Sequence, residues 1–172
     1  ARNLACKKEE SDMYSVMARV CIGMTNDEMA QEYFQRAVKL LEGTDDVREM
    51  SRLSTIYGEY MSFYINRNRM AEAIEIGYRR ETVIQRMSGL PGPPPGYIDQ
   101  QYGFLYAKMA VLLHDEGKKE EATEIFRKYQ STSFSKTLIG KQYSVPYLLN
   151  INQYAEAAAL SDTCISAFTN DT

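Results

Sequence analysis

The chain has few of the residues from which catalytic and metal sites are built. It contains one histidine, His114, and three cysteines, and no two of the cysteines have the short spacing of a zinc or redox motif. A Ser–His–Asp or Cys–His site would have to be built around His114, which lies at the end of a predicted helix. The sequence therefore predicts no catalytic residue, no metal site and no cofactor, and an enzyme built on His114 is the weakest of the alternatives considered below.

Long apolar runs and an excess of charge are also absent. No run approaches the roughly 18–20 apolar residues needed to cross a bilayer, and no cationic start precedes an apolar stretch. We therefore expect neither a membrane span nor a signal peptide in this segment. The formal net charge of −3 excludes a globally basic nucleic-acid-binding protein. The first residue is Ala1, which is typical of a processed or truncated product, and the sequence assigns no compartment.

Proline is confined almost entirely to one short segment. Four of the five prolines lie between Pro91 and Pro95. Because proline fixes φ and lacks an amide hydrogen, the segment 88–96 is predicted to be a linker between helices. A polyproline II ligand for a partner's aromatic groove is the alternative for this segment. The glycines at its start lack the lysine and the strand context of a phosphate-binding loop.

What the chain does have is apolar residues at helical spacing on both sides of polar turns. The apolar face predicted for a first helix, over about residues 9–23, consists of Met13, Met17, Val20 and Met24. Thr25 and Glu28 have the spacing of a capping box at the start of a second helix, which Gly43 ends. Four such helix–turn–helix units are predicted, at residues 9–43, 46–88, 97–130 and 137–168. Their turns are about 43, 49 and 35 residues apart.

Two features of the last unit are less regular. The stretch 131–135 is predicted to be a linker. Pro146 falls inside the first helix of this unit, so that helix is expected either to kink there or to begin late. An all-α fold remains the prediction for the whole chain, since recurring helix pairs bury their apolar faces only against neighbouring pairs.

Small and aromatic residues recur at fixed places within these units. The third unit contains Tyr106, Met109, Ala110, Leu113, Gly117, Ala122 and Phe126. The first contains Tyr14, Met17, Ala18, Cys21, Ala30, Phe34 and Ala37, with Thr25 where glycine is expected. With this pattern the chain resembles the tetratricopeptide repeat family. The resemblance implies a single domain, residues 1–172, folded as a right-handed α-solenoid of about four antiparallel helix pairs.

The resemblance also implies a function and a surface. It implies a scaffold that binds a protein or peptide on the concave side of the solenoid, without catalysis of its own. The residues placed on or beside that side are Ser15, Arg19, Thr55, Ser62, Ala107, Lys108 and Val111. Chaperone-binding members of the family bind a peptide's terminal carboxylate with lysines and asparagines. Ser15, Arg19, Gly58 and Ser62 stand at the corresponding places here, so that type of site is not expected.

Several alternatives stay open at this point. Such arrays resemble the regulatory regions of bacterial signalling proteins, which predicts that the chain is the repeat region of something larger. A helical sensor that holds a small molecule between tyrosine-rich helices is the second hypothesis, because thirteen tyrosines lie mostly on helix faces. Those tyrosines are interpreted first as core residues, and direct nucleic-acid binding is not expected. The array is also compatible with a homodimer.

Overall fold

The chain folds into eight α-helices in a computed structural model that describes the backbone of residues 2–170 and the side chains of residues 7–167. The helices are α1 (Arg2–Gly23), α2 (Asp27–Leu41), α3 (Val47–Asn66), α4 (Met70–Ser88), α5 (Tyr97–Asp115), α6 (Lys119–Ser131), α7 (Leu138–Asn150) and α8 (Tyr154–Asn170). No strand occurs between residues 2 and 170. The predicted all-α fold is therefore confirmed.

The helices pack in consecutive pairs. α1 packs on α2, α3 on α4, α5 on α6 and α7 on α8. The chain divides into two compact units, Ala1–Pro93 and Pro94–Thr172, and the division falls inside the predicted linker 88–96. Within the first unit α2 and α1 also contact α3, and within the second unit α5 contacts α7. Each unit thus has the stacked helix pairs of a tetratricopeptide-like repeat, while the handedness and the single domain stay predictions.

The four turns inside the helix pairs share one backbone conformation. Each has three residues, and the middle one has a φ between +56° and +77°. These middle residues are Thr25, Asn68, Gly117 and Asn152. Their intervals of 43, 49 and 35 residues are those expected from the sequence. The repeat is therefore present in the backbone even where its side chains have diverged.

Thr25 is the residue least suited to this conformation. Its φ is 57°, and a β-branched residue there brings its Cβ close to backbone atoms that glycine avoids. We expect Thr25→Gly to raise the free energy of unfolding by roughly 0.5–1 kcal/mol, the relief of strain minus the entropy that glycine loses on folding. Urea unfolding followed by circular dichroism measures this change.

The matched control is the reverse exchange in the second unit. Gly117 has a φ of 77° in the equivalent turn. Gly117→Thr is expected to lower the free energy of unfolding by about 1–2 kcal/mol. A stabilisation by Gly117→Thr, or a loss of stability in Thr25→Gly, would contradict the assignment of strain to these turns.

The start of α2 differs from the predicted capping box. Asn26 is the N-cap, and its side-chain oxygen accepts a hydrogen bond from the amide of Met29 at 3.2 Å. The hydroxyl of Thr25 instead donates to the carbonyl of Met24 at 2.7 Å. The prediction that Thr25 caps α2 is wrong because Thr25 occupies the left-handed position of the turn, one residue before the cap.

The buried face of α1 is not the one expected from its apolar periodicity. The buried residues are small: Ser11, Ser15, Ala18 and Cys21. The residues predicted to form the buried face are exposed, with relative exposures of 65% for Met13, 39% for Met17, 55% for Val20 and 71% for Met24. Small side chains allow α1 to lie close to its neighbours, and Ser11 donates to the carbonyl of Ala37 on α2 at 3.1 Å. The apolar residues therefore point away from the first unit.

Small residues and aromatic rings fill the core of the first unit. Ala30, Ala37 and Ala73 on the second helices of the pairs are completely buried. The ring of Phe34, also completely buried, stacks on Tyr60 with 4.9 Å between ring centroids. The alanines leave the space that the rings occupy, as the repeat pattern predicts.

A buried phenylalanine in the second unit packs against both α5 and α7. Phe134 lies in a 3₁₀ helix, Phe134–Lys136, and is buried against Phe104 with 4.5 Å between ring centroids. Gly103 and Gly140 face it so closely that a Cβ on either would overlap Phe134 atoms. The predicted linker 131–135 is therefore a packed element, because two glycines leave room for the phenylalanine.

Pro146 does not delay the helix that contains it. α7 begins at Leu138, eight residues before the proline, and Thr137 caps it by accepting from the amide of Gly140 at 2.9 Å. Tyr147 and Leu148, which follow the proline, are buried. Of the two expected alternatives, the late start is therefore wrong, since the cap and the packing after Pro146 hold the whole helix, and a kink at Pro146 stays a prediction.

Asp99, at the start of α5, is hydrogen-bonded to the beginning of the 3₁₀ helix Phe134–Lys136. Its carboxylate accepts from the hydroxyl of Ser133 at 2.7 Å and from the amides of Ser133 and Phe134 at 3.1 and 2.8 Å. Burial raises the pKa of Asp99, but these three hydrogen bonds outweigh it, and the pKa lies below its ordinary value. The ionised form is therefore the one that stabilises the second unit.

The sign of the pH dependence follows from that lowered pKa. A group whose pKa is lower in the folded state adds stability above its unfolded pKa, about 3.9, and this stability is lost as the pH falls through the folded pKa. We expect Asp99→Asn to cost about 1–2 kcal/mol at pH 7 and to flatten the loss of stability below about pH 4. Urea unfolding between pH 2 and pH 7 measures both effects. The exposed Asp162 provides the control Asp162→Asn, for which the wild-type pH profile is expected to persist.

Candidate functional site

The residues predicted to bind a partner are distributed over both units. Ser15 and Arg19 on α1 and Thr55 and Ser62 on α3 belong to the first unit. Ala107, Lys108 and Val111 on α5 belong to the second. Within the first unit, Ser15 and Arg19 are brought together by one carboxylate, that of Glu59 on α3.

Glu59 is the centre of a polar network between α1 and α3. It accepts from the hydroxyl of Ser15 at 2.7 Å and from the guanidinium of Arg19 at 3.0 Å. Arg52 lies 3.9 Å from Glu59 and also pairs with Asp12. Ser15 is completely buried, so it holds the two helices together and is not available on the surface. The charges of this network neutralise one another, which leaves little to attract a charged ligand.

The remaining predicted residues differ in exposure. Thr55 is exposed, and its hydroxyl donates to the carbonyl of Ser51 at 3.0 Å. Ser62 donates to the carbonyl of Gly58 at 3.0 Å. Ala107 is 2% exposed and belongs to the core of the second unit, whereas Lys108 and Val111 are half-buried. A binding role for this set stays a prediction, and Ser15 and Ala107 are too buried to contact a partner directly.

A groove that the sequence did not single out lies elsewhere in the first unit. It runs between α2 and α4 above α3 and encloses about 390 Å³. Its lining residues are Gln35, Val38, Lys39 and Glu42 from α2 and its cap, Tyr57, Tyr60 and Tyr64 from α3, and Glu72, Glu75, Ile76 and Arg79 from α4. Helical spacing on all three helices places these residues on the faces that meet at the groove.

Three tyrosines form the floor of this groove. The hydroxyls of Tyr60 and Tyr64 are 2.8 Å apart and satisfy each other. Tyr57 is 4% exposed, and its hydroxyl has no hydrogen-bond partner among the residues that the structure describes. Burial raises the pKa of Tyr57, the charge of Glu42 raises it further, and Arg79 opposes them. The phenol is therefore protonated at neutral pH and lies at the base of the groove.

The rim of the groove carries charges of both signs. Glu72 pairs with Arg69 at 2.8 Å and Glu75 with Arg79 at 2.6 Å. Within the described part of the chain, Glu42 and Lys39 have no ion pair or hydrogen bond through their side chains. The lining contains three carboxylates and two cationic side chains, and Arg69, which pairs with Glu72, balances the third carboxylate.

A second surface of the first unit is apolar. We call it the α1 stripe, and it consists of Met13, Val16, Met17, Val20 and Met24. Their relative exposures range from 39% to 71%. Spacings of three and four residues put all five on one side of α1, opposite the side that packs on α2 and α3. The periodicity in the sequence correctly predicted that these residues share one face of α1. The expectation that this face is buried against other helices of the unit was wrong.

The residues considered for catalysis and metal binding do not form a site. His114 is half-buried, lies edge-on to Tyr147 with 6.2 Å between ring centroids, and has Asp115 at 3.9 Å. Among the described residues, no group of three or more His, Cys, Asp or Glu side chains could hold a metal ion. Cys21 and Cys164 are buried free thiols, and the side chain of Cys6 lies outside the described residues.

Five arginines lie between positions 67 and 86, and most of them are paired with acidic side chains. Arg67 pairs with Asp27 at 2.6 Å and Arg86 with Asp45 at 3.1 Å, in addition to the pairs of Arg69 and Arg79 described above. Arg80 is 8% exposed and donates to the hydroxyl of Ser54 at 3.1 Å. No helix within the described residues has the length and apolar character that a bilayer requires.

The comparisons with known proteins agree with this architecture. Residues 11–40, which run from the middle of α1 to near the end of α2, match a family model of the tetratricopeptide repeat. The match supports a tetratricopeptide-like repeat family, and the stacked helix pairs of each unit agree with it. Tetratricopeptide repeats generally mediate protein–protein interactions and are typically scaffolds without catalytic activity. A comparison with curated proteins finds no match to this chain.

Proposed function

We propose that this chain is a scaffold that binds a helix of a partner protein along the α1 stripe. The observation that carries the proposal is the exposure of five large apolar side chains on one face of a single helix. Isolated apolar residues on a surface are ordinary, but a contiguous patch of this kind marks an interaction surface.

The size of the stripe suits a helical partner. From Met13 to Met24 it extends about 16 Å along the helix axis, and it exposes roughly 500 Å². That area would supply the apolar centre of an interface that buries about 800 Å² on each partner. Spacings of three and four residues are those with which two helices interlock their side chains. An amphipathic helix with a similar stripe is therefore the occupant that we propose.

A finer assignment rests on the family resemblance alone. We propose that the chain is the repeat region of a larger regulatory or signalling protein, of the type found in bacteria. In that arrangement the partner helix would connect the scaffold to the region that carries the regulatory activity of the larger protein. Further contacts would come from the predicted residues Arg19, Thr55, Ser62, Lys108 and Val111. A homodimer through the α1 stripe is the competing arrangement.

Photo-crosslinking from the stripe tests the proposal. A benzophenone side chain at position 20 is expected to form an adduct with one defined partner protein in the native cell, and mass spectrometry should map the adduct to an amphipathic helix. The double variant Met17→Glu and Val20→Glu is expected to abolish co-purification of that partner, because two carboxylates would be buried against apolar atoms.

The control uses an exposed apolar residue outside the stripe. Ile165 on α8 is 61% exposed, and Ile165→Glu should leave the partner bound. An adduct of twice the mass of the chain would show a second copy on the stripe and overturn the proposal of a different partner. The absence of any adduct at position 20, with adducts formed elsewhere, would overturn both arrangements.

A small-molecule sensor is the second candidate function, and the groove between α2 and α4 favours it. Its volume of about 390 Å³ lies within the range of ligand sites, about 300–1,000 Å³, and its floor is aromatic. Thermal shifts against a panel of metabolites test this candidate. We expect a saturable shift that is lost when groove residues are changed, while the stripe variants retain it.

A further inference from the structure

We infer that the α1 stripe packs against two antiparallel helices of its partner at once, in the way that α3 packs on the α1/α2 pair of this chain. The inference rests on the proposed binding of a partner helix to the stripe, and it adds a second helix and a defined geometry. The surface that the partner presents is then the side of a helix pair, with apolar residues on both helices.

The repeat relates the α1 stripe to a buried face of α3. Thr25 and Asn68 are the middle residues of the first two turns, so each residue of α1 is equivalent to the one 43 positions later in α3. Ile56, Tyr60 and Phe63, the equivalents of three stripe residues, are at most 4% exposed. The complete set of equivalents consists of Ile56, Glu59, Tyr60, Phe63 and Arg67. The face that α1 exposes is therefore the face through which α3 packs on the helix pair before it.

These residues of α3 contact both helices of the preceding pair. Glu59 accepts from the hydroxyl of Ser15 on α1, the first helix of that pair, at 2.7 Å. The rings of Tyr60 and Phe63 lie 4.9 and 5.9 Å from the ring of Phe34 on α2, centroid to centroid. Position 59 thus meets the first helix of the pair, whereas positions 60 and 63 meet the second.

The second unit divides its contacts in the same way. Tyr143 and Tyr147 of α7 are the residues equivalent to Val16 and Val20 of α1. The ring of Tyr143 lies 5.1 Å from that of Phe104 on α5, the first helix of the preceding pair. The ring of Tyr147 stacks on a phenylalanine of α6, the second helix, with 4.2 Å between centroids. In both units, therefore, the position of Val16 meets the first helix and the position of Val20 meets the second.

The stripe differs from α3 in charge, and this difference defines the chemistry of the partner. α3 has Glu59 and Arg67 where α1 has Val16 and Met24. Both charged residues of α3 form ion pairs with the preceding helix pair. A partner with charged residues at the corresponding places would bury them against apolar atoms, which is costly. The partner pair that fits the α1 stripe is therefore apolar on both helices.

Photo-crosslinking from two positions of the full chain in the native cell tests the inference. One variant carries a benzophenone side chain at position 16 and the other carries it at position 20, and mass spectrometry maps each adduct. We expect one partner protein in both cases, with the two adducts on consecutive helices, roughly 15 to 25 residues apart in its sequence. Position 32, exposed on α2 and outside the stripe, is the control and should form no adduct with that partner.

Substitutions at the same two positions measure whether both contacts matter. Val16→Glu and Val20→Glu are each expected to lower the amount of co-purified partner at least tenfold, because each places a carboxylate against a different apolar helix. Val16 is 46% exposed and Val20 55%, so both variants should keep the melting temperature of the wild type. An undiminished yield of partner with Val16→Glu, alongside a loss with Val20→Glu, would contradict the contact with a second helix.

The inference and the proposed function fail in different ways. Adducts from both positions on one partner helix, about one turn apart, would overturn the two-helix geometry and leave the binding of a partner helix intact. The absence of adducts from both positions would overturn the two together. Adducts to α7 and α8 of a second copy would confirm the two-helix geometry and overturn the proposal of a different partner.

Discussion

Replacing Gly140 by alanine is expected to lower the free energy of unfolding by about 3 kcal/mol or more, the upper end of the cost of overpacking. A Cβ at this position would lie 1.9 Å from the carbonyl oxygen of Phe134 and 2.8 Å from the Cα of Ser135. Both are backbone atoms, so no side chain can rotate to make room. The carbonyl of Gly140 also accepts from the buried hydroxyl of Tyr129, whose pKa burial raises to about 12.

The comparison that isolates this effect is another glycine-to-alanine exchange. A Cβ at Gly89 would meet its nearest neighbour, the carbonyl oxygen of Arg86, at an ordinary 3.6 Å. Its φ of −84° is allowed for alanine, so Gly89→Ala should change stability by no more than about 0.5 kcal/mol. Equal urea midpoints for the two variants would show that α7 does not approach Phe134 as closely as described.

Phe34→Ala is expected to cost the first unit about 3–5 kcal/mol, the range for removing a fully buried aromatic ring. The ring is completely buried between α2 and α3 and lies 4.9 Å from Tyr60 and 5.9 Å from Phe63, centroid to centroid. Its removal leaves a cavity that the neighbouring rings cannot fill without losing their stacking. Urea unfolding followed by circular dichroism measures the loss.

A residue of the same helix provides the control. Met29 is 41% exposed, and Met29→Ala should cost no more than about 0.5 kcal/mol. A cost below about 1 kcal/mol for Phe34→Ala would mean that α2 does not pack through this ring. The family register of the first unit would then be wrong.

The helices and their turns could be predicted because their signals are local. Turn residues and helix caps act over three or four positions, so the four pairs and the spacing of their turns were recoverable from the sequence. The 3₁₀ helix at Phe134 was not predicted, because the residues that make room for it are not local in the sequence. It depends on Gly103 and Gly140, which are distant from one another in the sequence and create the space for its ring only after α5 and α7 have packed.

The two readings of α1 show why an apolar face need not be a buried one. Hydrophobic periodicity selected Met13, Met17, Val20 and Met24, whereas the repeat pattern selected Tyr14, Met17, Ala18 and Cys21. Of all these residues the structure buries only Ala18 and Cys21, because close helix packing within a unit requires small side chains and not the most apolar ones. Small and large apolar residues thus lie on different sides of α1, which indicates a helix with two different neighbours.

The groove could not have been found from the sequence by the same means. Tyr57, Tyr60 and Tyr64 were correctly interpreted as core residues, and all three are at most 5% exposed. Their hydroxyls and ring edges face a space that exists only because α2 and α4 are separated above α3. Glu42, which follows α2, was part of no motif, and nothing local distinguishes it from other surface acids.

The buried cysteines make each unit separately observable. Cys21 is 7% exposed in the first unit and Cys164 is 6% exposed in the second, and neither forms a disulfide. A thiol reacts with an alkylating reagent only when its helix opens, so the rate of alkylation at each cysteine reports the opening equilibrium of its own half of the molecule. With Cys6 replaced by serine, mass spectrometry can follow the alkylation of Cys21 and of Cys164 over time. A mutation or a bound ligand that changes only one of the two rates then stabilises or destabilises only that unit.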